Sequence, residues 1–109
     1  MSIVIRCQNR NWIMTYESVS DVDFLIDEVP GATNGIFRYA VYAFEKATQD
    51  RIPIIDPLPK DAAKLVLDYI FTDIAIACRA NVICIDAEDL YMRAIAETDD
   101  TNENEEEPF

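Results

Sequence analysis

The longest helical pattern in the chain, over residues 61–80, most constrains what this sequence can fold into. At about 100° per residue, its polar positions fall mostly within one narrow stripe, and apolar side chains cover nearly all the remaining surface. A helix of this composition must be covered on most sides, so we predict a buried central helix from Asp61 to Ala80. Asp73 departs from the stripe, and we expect it to form a local ion pair or to face solvent where the helix is uncovered.

Two short segments near the N-terminus predict a β-hairpin. Residues Ile3–Cys7 and Trp12–Tyr16 alternate with a period of two, and a polar segment between them supplies a turn. The predicted cross-strand pairs are Cys7 with Trp12, Ile5 with Met14, and Ile3 with Tyr16. Because an isolated hairpin is only marginally stable, we expect a third strand, for which the short apolar run over 82–85 is the candidate.

The middle of the chain predicts two further helices. After Ser20, apolar residues recur at the spacing of one buried helical face, so a first helix is expected over Asp21–Glu28. A second helix is expected to begin at Thr33 or Asn34 and to end near Gln49, with apolar side chains along one face.

The segments on either side of the central helix are also informative. Prolines interrupt residues 51–60, and the isoleucines between them indicate a stiff connector that lies on the core, with 52–55 as a possible edge strand. Asp86 is a good N-cap for a last helix, because Asp89 follows at the third helical position. Ile85 and Leu90 occupy the positions of a hydrophobic staple.

Together these signals predict an α+β fold. The N-terminal hairpin, with a third short strand near 82–85, packs on a bundle of about four helices that surrounds the buried central helix 61–80. A chain of 109 residues is one domain in size. We expect a single compact domain over 1–97 and a disordered acidic tail over 98–109, because the tail has few apolar residues and no basic ones.

The chain is strongly acidic. It holds 21 Asp and Glu against 9 Lys and Arg, a formal net charge of −12. Contacts to phosphate need clustered Lys and Arg, so this balance opposes direct binding to nucleic acid or to an anionic membrane and favours a basic protein partner. Part of the excess lies in the tail, where residues 99–109 include six acids.

Two groups of acids lie where helices are predicted to start. The first acidic cluster contains Asp21, Asp23, Asp27 and Glu28, and the second acidic cluster contains Asp86, Glu88 and Asp89. Their predicted spacing along a helix is comparable with the separation of DNA phosphates, so a basic groove that binds nucleic acid would accept them. Capping and solvation explain the same positions equally well. Asp73 and Trp12 are secondary candidates, and Trp12 is more typical of a core than of an anchor.

Residues that carry common chemistry are scarce. The chain has no histidine, its two glycines cannot form a phosphate-binding loop, and no serine lies in a nucleophile motif. Cys7, Cys78 and Cys84 have no zinc-ligand spacing and indicate buried thiols in a reducing compartment, so we expect a cytoplasmic protein. No signal peptide or transmembrane pattern is present in the sequence. We therefore expect no enzymatic activity, no metal and no cofactor; an enzyme that uses carboxylates alone is a remote alternative.

The function that these features favour is that of an acidic inhibitor or immunity-type protein. Such a protein binds a basic surface of a nucleic-acid-processing enzyme, in the manner of phage counter-defence (anti-CRISPR or antirestriction) or toxin-neutralising proteins, and imitation of DNA is one way to do so. The alternative is a small viral or bacterial assembly protein, in which another subunit, as in a homodimer, completes the apolar helix or the hairpin edge.

Overall fold

The computed structural model describes residues 2–8, 12–29, 37–77 and 81–106, with side chains described as far as residue 98. In chain order the elements are β1 (Ser2–Arg6), β2 (Ile13–Tyr16), β3 (Val22–Glu28), β4 (Tyr39–Glu45), β5 (Asp50–Pro53), α1 (Lys60–Ile76), β6 (Val82–Asp86) and α2 (Ala87–Glu106). A short 3-10 turn, Val19–Asp21, precedes β3.

The strands form two three-stranded sheets. The first sheet has the order β2-β1-β6, in which β1 is antiparallel to β2 and parallel to β6. The second sheet has the order β3-β4-β5 and is antiparallel throughout. Helix α1 packs against strands of both sheets and against α2, so one core is shared by the two sheets.

The predicted hairpin is confirmed in its register. Ile3 lies opposite Tyr16 and Ile5 opposite Met14, and the backbone N–H of Cys7 donates to the carbonyl of Trp12 at 3.1 Å. The third strand near 82–85 is also confirmed, since β6 pairs with β1. Ile3, Ile5 and Met14 are buried beneath the sheet, as the alternation predicted.

The predicted bundle of about four helices is wrong. The described chain contains two helices and two sheets, with 39% strand and 38% helix. The segment predicted as a first helix over Asp21–Glu28 is strand β3, and the predicted helix to Gln49 contains β4. The N-terminal part of that second prediction, residues 33–36, lies outside the described residues.

The error has a physical cause in the hydrophobic pattern. In β3 the buried residues Val22 and Phe24 alternate with exposed Asp23, yet the apolar residues also match a helical spacing. Strand β4 is the middle strand of its sheet, and its interior residues Ala40–Ala43 are buried whichever face they occupy. A strand covered on both faces loses the alternation that distinguishes it from a helix.

The central helix is confirmed, but its coverage is smaller than predicted. Helix α1 runs from Lys60 to Ile76, and residues 78–80 lie outside the described part of the chain. Val66 and Ile70 are fully buried, whereas Phe71 is half exposed and Ile76 is 77% exposed. The helix is therefore covered along one side and leaves apolar side chains in solvent near its C-terminal end.

The proline-rich connector joins the two sheets. The N–H of Ile54 donates to the carbonyl of Val41 at 3.0 Å, and the carbonyl of Ile54 accepts from the N–H of Gln8 at 2.9 Å. The buried Gln8 side chain in turn accepts from the N–H of Asp56 at 2.9 Å. A second link is the hydrogen bond from the Tyr16 hydroxyl to the Glu45 carboxylate at 2.7 Å. The connector lies on the core, as expected, and β5 at its start is an edge strand.

The last helix begins where it was predicted to begin. Asp86 accepts a hydrogen bond from the N–H of Asp89 at 3.4 Å, and both staple residues, Ile85 and Leu90, are buried. The backbone helix extends to Glu106 rather than ending near residue 97. The division into a compact domain over 1–97 and a tail over 98–109 stays a prediction. In the described chain, neither helix is both long and apolar enough to cross a membrane.

Candidate functional site

The first acidic cluster lies on the surface of the second sheet. Asp21 ends the 3-10 turn, where its carboxylate accepts from the N–H of Ser18 at 3.3 Å in a capping box. Asp23 and Asp27 lie on one face of β3, and Glu28 ends the strand. All four acids are exposed, as predicted, but they lie along a strand rather than a helix.

Three of these acids have a cationic partner. Lys46 lies 3.6 Å from Asp23, Arg38 lies 2.9 Å from Glu28, and Arg51 donates to Asp27. The Arg51 hydrogen bond, together with the N–H of Glu28, holds the pKa of the Asp27 carboxyl below its usual range. These pairs are exposed, so each contributes little to stability and can exchange partners readily.

The strand geometry changes the spacing of the charges. Asp23 and Asp27 are four residues apart, which on a strand is about 13 Å, roughly twice the distance on a helix. The helical spacing that suggested imitation of DNA phosphates therefore does not hold for the first acidic cluster. Its charge is still available for contact with a basic surface.

The second acidic cluster is on a helix start, as predicted. Asp86 caps α2 and lies 4.0 Å from Arg6, while Asp89 lies 4.0 Å from Arg93. Glu88 is exposed and has no ion pair among the described residues. Capping accounts for Asp86 in full, so the capping interpretation holds for at least this member. The second acidic cluster lies at the junction of β6 and α2, whereas the first lies along β3 and the turn before it, and no described ion pair or hydrogen bond joins the two clusters.

The two secondary candidates, Asp73 and Trp12, lie on other elements of the fold. Asp73 is half-buried on α1 and forms no ion pair among the described residues. Trp12 precedes β2 and is 49% exposed, so it is not a core residue.

Sequence reasoning missed the open edge of β3. The hydrogen bonds from Lys46 to Asp21 (3.1 Å) and from Val29 to Arg38 (2.7 Å) show that the odd-numbered residues of this segment bond to β4. In an antiparallel ladder the alternate residues then direct their N–H and C=O groups away from that partner. In the described chain, no strand pairs with this edge.

An apolar groove follows the same edge. Its volume is about 570 Å³, and its lining includes Val19, Phe24, Leu25, Phe44, Phe71 and Ile74. The half-exposed Phe71 and the partly buried Ile74 come from the C-terminal half of α1. The groove thus joins the edge of the sheet to the part of the helix that the core leaves uncovered.

A second groove, of about 520 Å³, is lined in part by Asp27, Tyr42, Arg51 and Asp56. The Arg51 guanidinium lies 5.2 Å from the centre of the Tyr42 ring, and burial raises the pKa of the Tyr42 hydroxyl. Because the pKa of Asp27 is lowered, this carboxylate stays ionised near neutral pH and is a weak base. This arrangement does not resemble a pair of carboxylates tuned to exchange protons.

The thiols and carboxylates do not assemble a metal site in the described residues, where no group of three or more potential ligands occurs. Cys7 is buried as predicted, Cys84 is exposed, contrary to the prediction, and Cys78 lies outside the described residues. Comparison with protein-family models, with curated proteins and with solved structures finds no match to the chain. A functional interpretation therefore rests on the surface geometry above.

Proposed function

We propose that this chain is a non-enzymatic acidic binding protein of the inhibitor or immunity type. It covers a basic surface of a partner protein that would otherwise bind nucleic acid. The observation that carries this proposal is the excess of exposed acids around β3. Residues 19–29 and 37–53 contain six acids and three bases, and five of those acids are exposed.

In the proposal the acids act in two ways: they attract the basic partner during association, and they exchange their ion pairs within the chain for ion pairs with the partner. A negative surface raises the rate at which a basic partner associates, and the effect falls with ionic strength. Lysines and arginines of the partner replace Lys46 and Arg51 beside Asp23 and Asp27, which costs little because these pairs are exposed. Imitation of DNA charge stays in the proposal for the second acidic cluster, in which Glu88 and Asp89 lie in the first turn of α2 and Asp86 precedes it.

The proposed setting is the cytoplasm of a bacterium or of an infected cell, where phage counter-defence and toxin neutralisation both operate. The exposed thiol of Cys84 fits a reducing compartment. The partner belongs to the class of nucleic-acid-processing enzymes, because their basic grooves are the surfaces that a small acidic protein fits by charge.

Neutralising the first acidic cluster tests the proposal. The variant carries Asp21→Asn, Asp23→Asn, Asp27→Asn and Glu28→Gln; neutral residues avoid the repulsion from Lys46, Arg38 and Arg51 that lysines would cause. Tagged protein is used to capture partners from a lysate of the organism that encodes it, with and without competing duplex DNA. We expect the wild type to retain basic nucleic-acid-binding proteins that duplex DNA displaces, and the variant to lose them.

The matched control changes the same number of exposed acids elsewhere. It carries Glu17→Gln, Asp61→Asn, Asp68→Asn and Glu97→Gln, so its net charge equals that of the test variant. The control should retain the captured proteins. Equal capture by the two variants would show that the first acidic cluster is not the binding surface.

An assembly protein is the second candidate, and one observation favours it. The outer face of the first sheet exposes Ile13 (60%) and Val82 (49%). Such residues are typical of a surface that another subunit covers. Light scattering after size exclusion at low and high salt distinguishes the candidates: a dimer that resists salt supports assembly, and a monomer at both supports the inhibitor.

A further inference from the structure

The edge of β3 offers three consecutive outward backbone positions. The register with β4 directs the N–H and C=O groups of Val22, Phe24 and Ile26 away from the sheet. Beyond them the edge is closed by the chain itself. The N–H of Glu28 donates to the Asp27 side chain at 2.8 Å, and the carbonyl of Glu28 accepts from the Tyr42 hydroxyl at 3.5 Å. The open part of the edge is therefore residues 22–26.

The groove beside this edge has room for the side chains of an added strand. It is lined from the sheet by Phe24 and from the helix by Phe71 and Ile74, and its volume is about 570 Å³. A strand that pairs with β3 alternates its side chains between the two faces of the sheet. On the helix side they meet these apolar residues, and on the other side they meet Asp23, Leu25 and Asp27.

We propose that the open edge of β3 accepts an extended segment of the basic partner as an additional antiparallel strand. The residues opposite Asp23 and Asp27 are basic, and the three between them are apolar, opposite Phe24, Leu25 and Ile26. The partner segment therefore has the pattern basic, apolar, apolar, apolar, basic. Main-chain hydrogen bonds provide affinity, and the alternating side chains provide specificity.

In the register centred on Leu25, a second copy of the same strand fits this edge poorly. An antiparallel pair of β3 strands centred on Leu25 places Asp23 of each chain opposite Asp27 of the other, and like charges directly opposite destabilise a sheet. Charge complementarity therefore selects a partner that carries cations at those two positions. The inference rests on the proposed function, since it names the segment that the acidic surface binds.

Synthetic peptides test the strand. The probe is a fluorescein-labelled Ser-Lys-Val-Leu-Val-Lys-Ser peptide, and the control is Ser-Val-Lys-Leu-Lys-Val-Ser, which has the same composition and charge. In the control the lysines are two residues apart and cannot both lie opposite the two aspartates. By fluorescence anisotropy with the full-length protein at low salt, we expect the probe to bind roughly tenfold tighter than the control or more.

Methylation of the peptide backbone separates strand pairing from charge. In the proposed antiparallel register the valine N–H groups donate to β3 and the leucine N–H points away. N-methylation of the two valines should therefore remove the advantage in affinity of the probe over the control peptide. N-methylation of the leucine should preserve that advantage. Equal binding of the two methylated peptides overturns strand addition.

A change in the protein, rather than in the peptide, tests the same edge. Ile26→Pro removes an N–H that points outward, and proline is tolerated at such positions of edge strands. Ile26→Ala is the matched control for the lost side chain, and thermal melts verify that both fold. The Ile26→Pro variant should bind the probe peptide roughly tenfold more weakly than the Ile26→Ala variant does. Equal affinity of the probe for the two variants contradicts the proposal. If Ile26→Pro unfolds the chain, the methylated peptides test strand addition instead.

Failure of this inference is distinguishable from failure of the proposed function. If probe and control peptides bind equally well, and the four-acid variant binds neither, the strand is wrong and the charge-based function stands. If no peptide binds at low salt and the lysate experiment also fails, the proposed function is wrong as well.

Discussion

The two sheets share one helix, but the faces that they present to solvent differ in chemistry. The outer face of the first sheet exposes apolar residues, including Ile13 and Val82, and its Arg6 and Asp86 lie 4.0 Å apart. The outer face of the second sheet carries Asp23 and Asp27 with their cationic partners. The two sheets therefore differ in the chemistry of their exposed faces, which is apolar on the first and charged on the second.

This difference belongs to the surface, because the core beneath the two sheets is continuous. Buried residues of α1 contact both sheets, and the Gln8 and Tyr16 hydrogen bonds connect them directly. We therefore expect the sheets to unfold together although their exposed surfaces differ. The variants below test that separation, beginning with the largest expected effect.

Ile70→Ala removes a fully buried side chain from the helix that both sheets share. The cavity should lower the free energy of unfolding by about 2–5 kcal/mol. Trp12 fluorescence follows the first sheet and circular dichroism follows the whole chain, and we expect the two urea transitions to coincide. Ile76→Ala, on the same helix but 77% exposed, is the control and should change stability by less than about 0.5 kcal/mol. Separate transitions for the two probes would show that the sheets are independent.

Gln8→Ala removes a buried link between the sheets. The N–H of Asp56 then loses the Gln8 side-chain acceptor, 2.9 Å away, in a partly buried position. We expect a loss of about 1–3 kcal/mol, measured by urea denaturation. Thr15→Ala, at an exposed position of β2, is the control and should be near neutral. An unchanged midpoint for Gln8→Ala would mean that the contact between the sheets does not depend on this residue.

Substitution of one acid from each cluster compares a structural role with a surface role. Asp86→Ala removes the N-cap of α2 and should cost about 1 kcal/mol. Asp23→Ala breaks an exposed ion pair and should cost less than about 0.5 kcal/mol, while it weakens binding of the basic peptide. Thermal melts and anisotropy measure the two effects. If Asp23→Ala lowered stability more than Asp86→Ala does, the structural role would belong to the first acidic cluster instead.

The smallest effect is the alkaline dependence of the contact between Tyr16 and Glu45. Burial, and then the Glu45 carboxylate, raises the pKa of the Tyr16 hydroxyl above its usual value. A raised pKa in the folded state means that this stabilisation is complete below about pH 10 and is lost as the pH rises through the folded pKa. Tyr16→Phe should cost about 1 kcal/mol at neutral pH and reduce the loss of stability above pH 10. An unchanged alkaline profile in the variant would contradict this assignment.

The sequence predicted the first sheet better than the second for reasons found in particular residues. Ile5 and Met14 lie in two segments with a period of two that a short polar turn joins, which determines both pairing and face. The Asp86 cap and its staple are local signals, so the start of α2 was predictable. In β3, Val22 and Ile26 fit a helix as well as a strand, and the choice is made by pairing with distant β4.

In the candidate site, too, local features were predictable and features that depend on tertiary pairing were not. That Asp23 and Asp27 are exposed was predictable, because charged residues on an acidic chain remain in water. The open edge was not, because the direction of the Phe24 and Ile26 backbone groups depends on which neighbour pairs with β3. The groove needed the tertiary packing that brings Phe71 to Phe24, which no local pattern encodes.

A titration followed by two-dimensional NMR tests the central claim most directly. Isotope-labelled protein is titrated with the Ser-Lys-Val-Leu-Val-Lys-Ser peptide, and the amides of the two sheets are compared. We predict saturable shifts along β3 and at Phe71 and Ile74, slower hydrogen exchange for the amides of Phe24 and Ile26, and an unchanged first sheet. Shifts confined to the second acidic cluster or to the outer face of the first sheet would contradict the account.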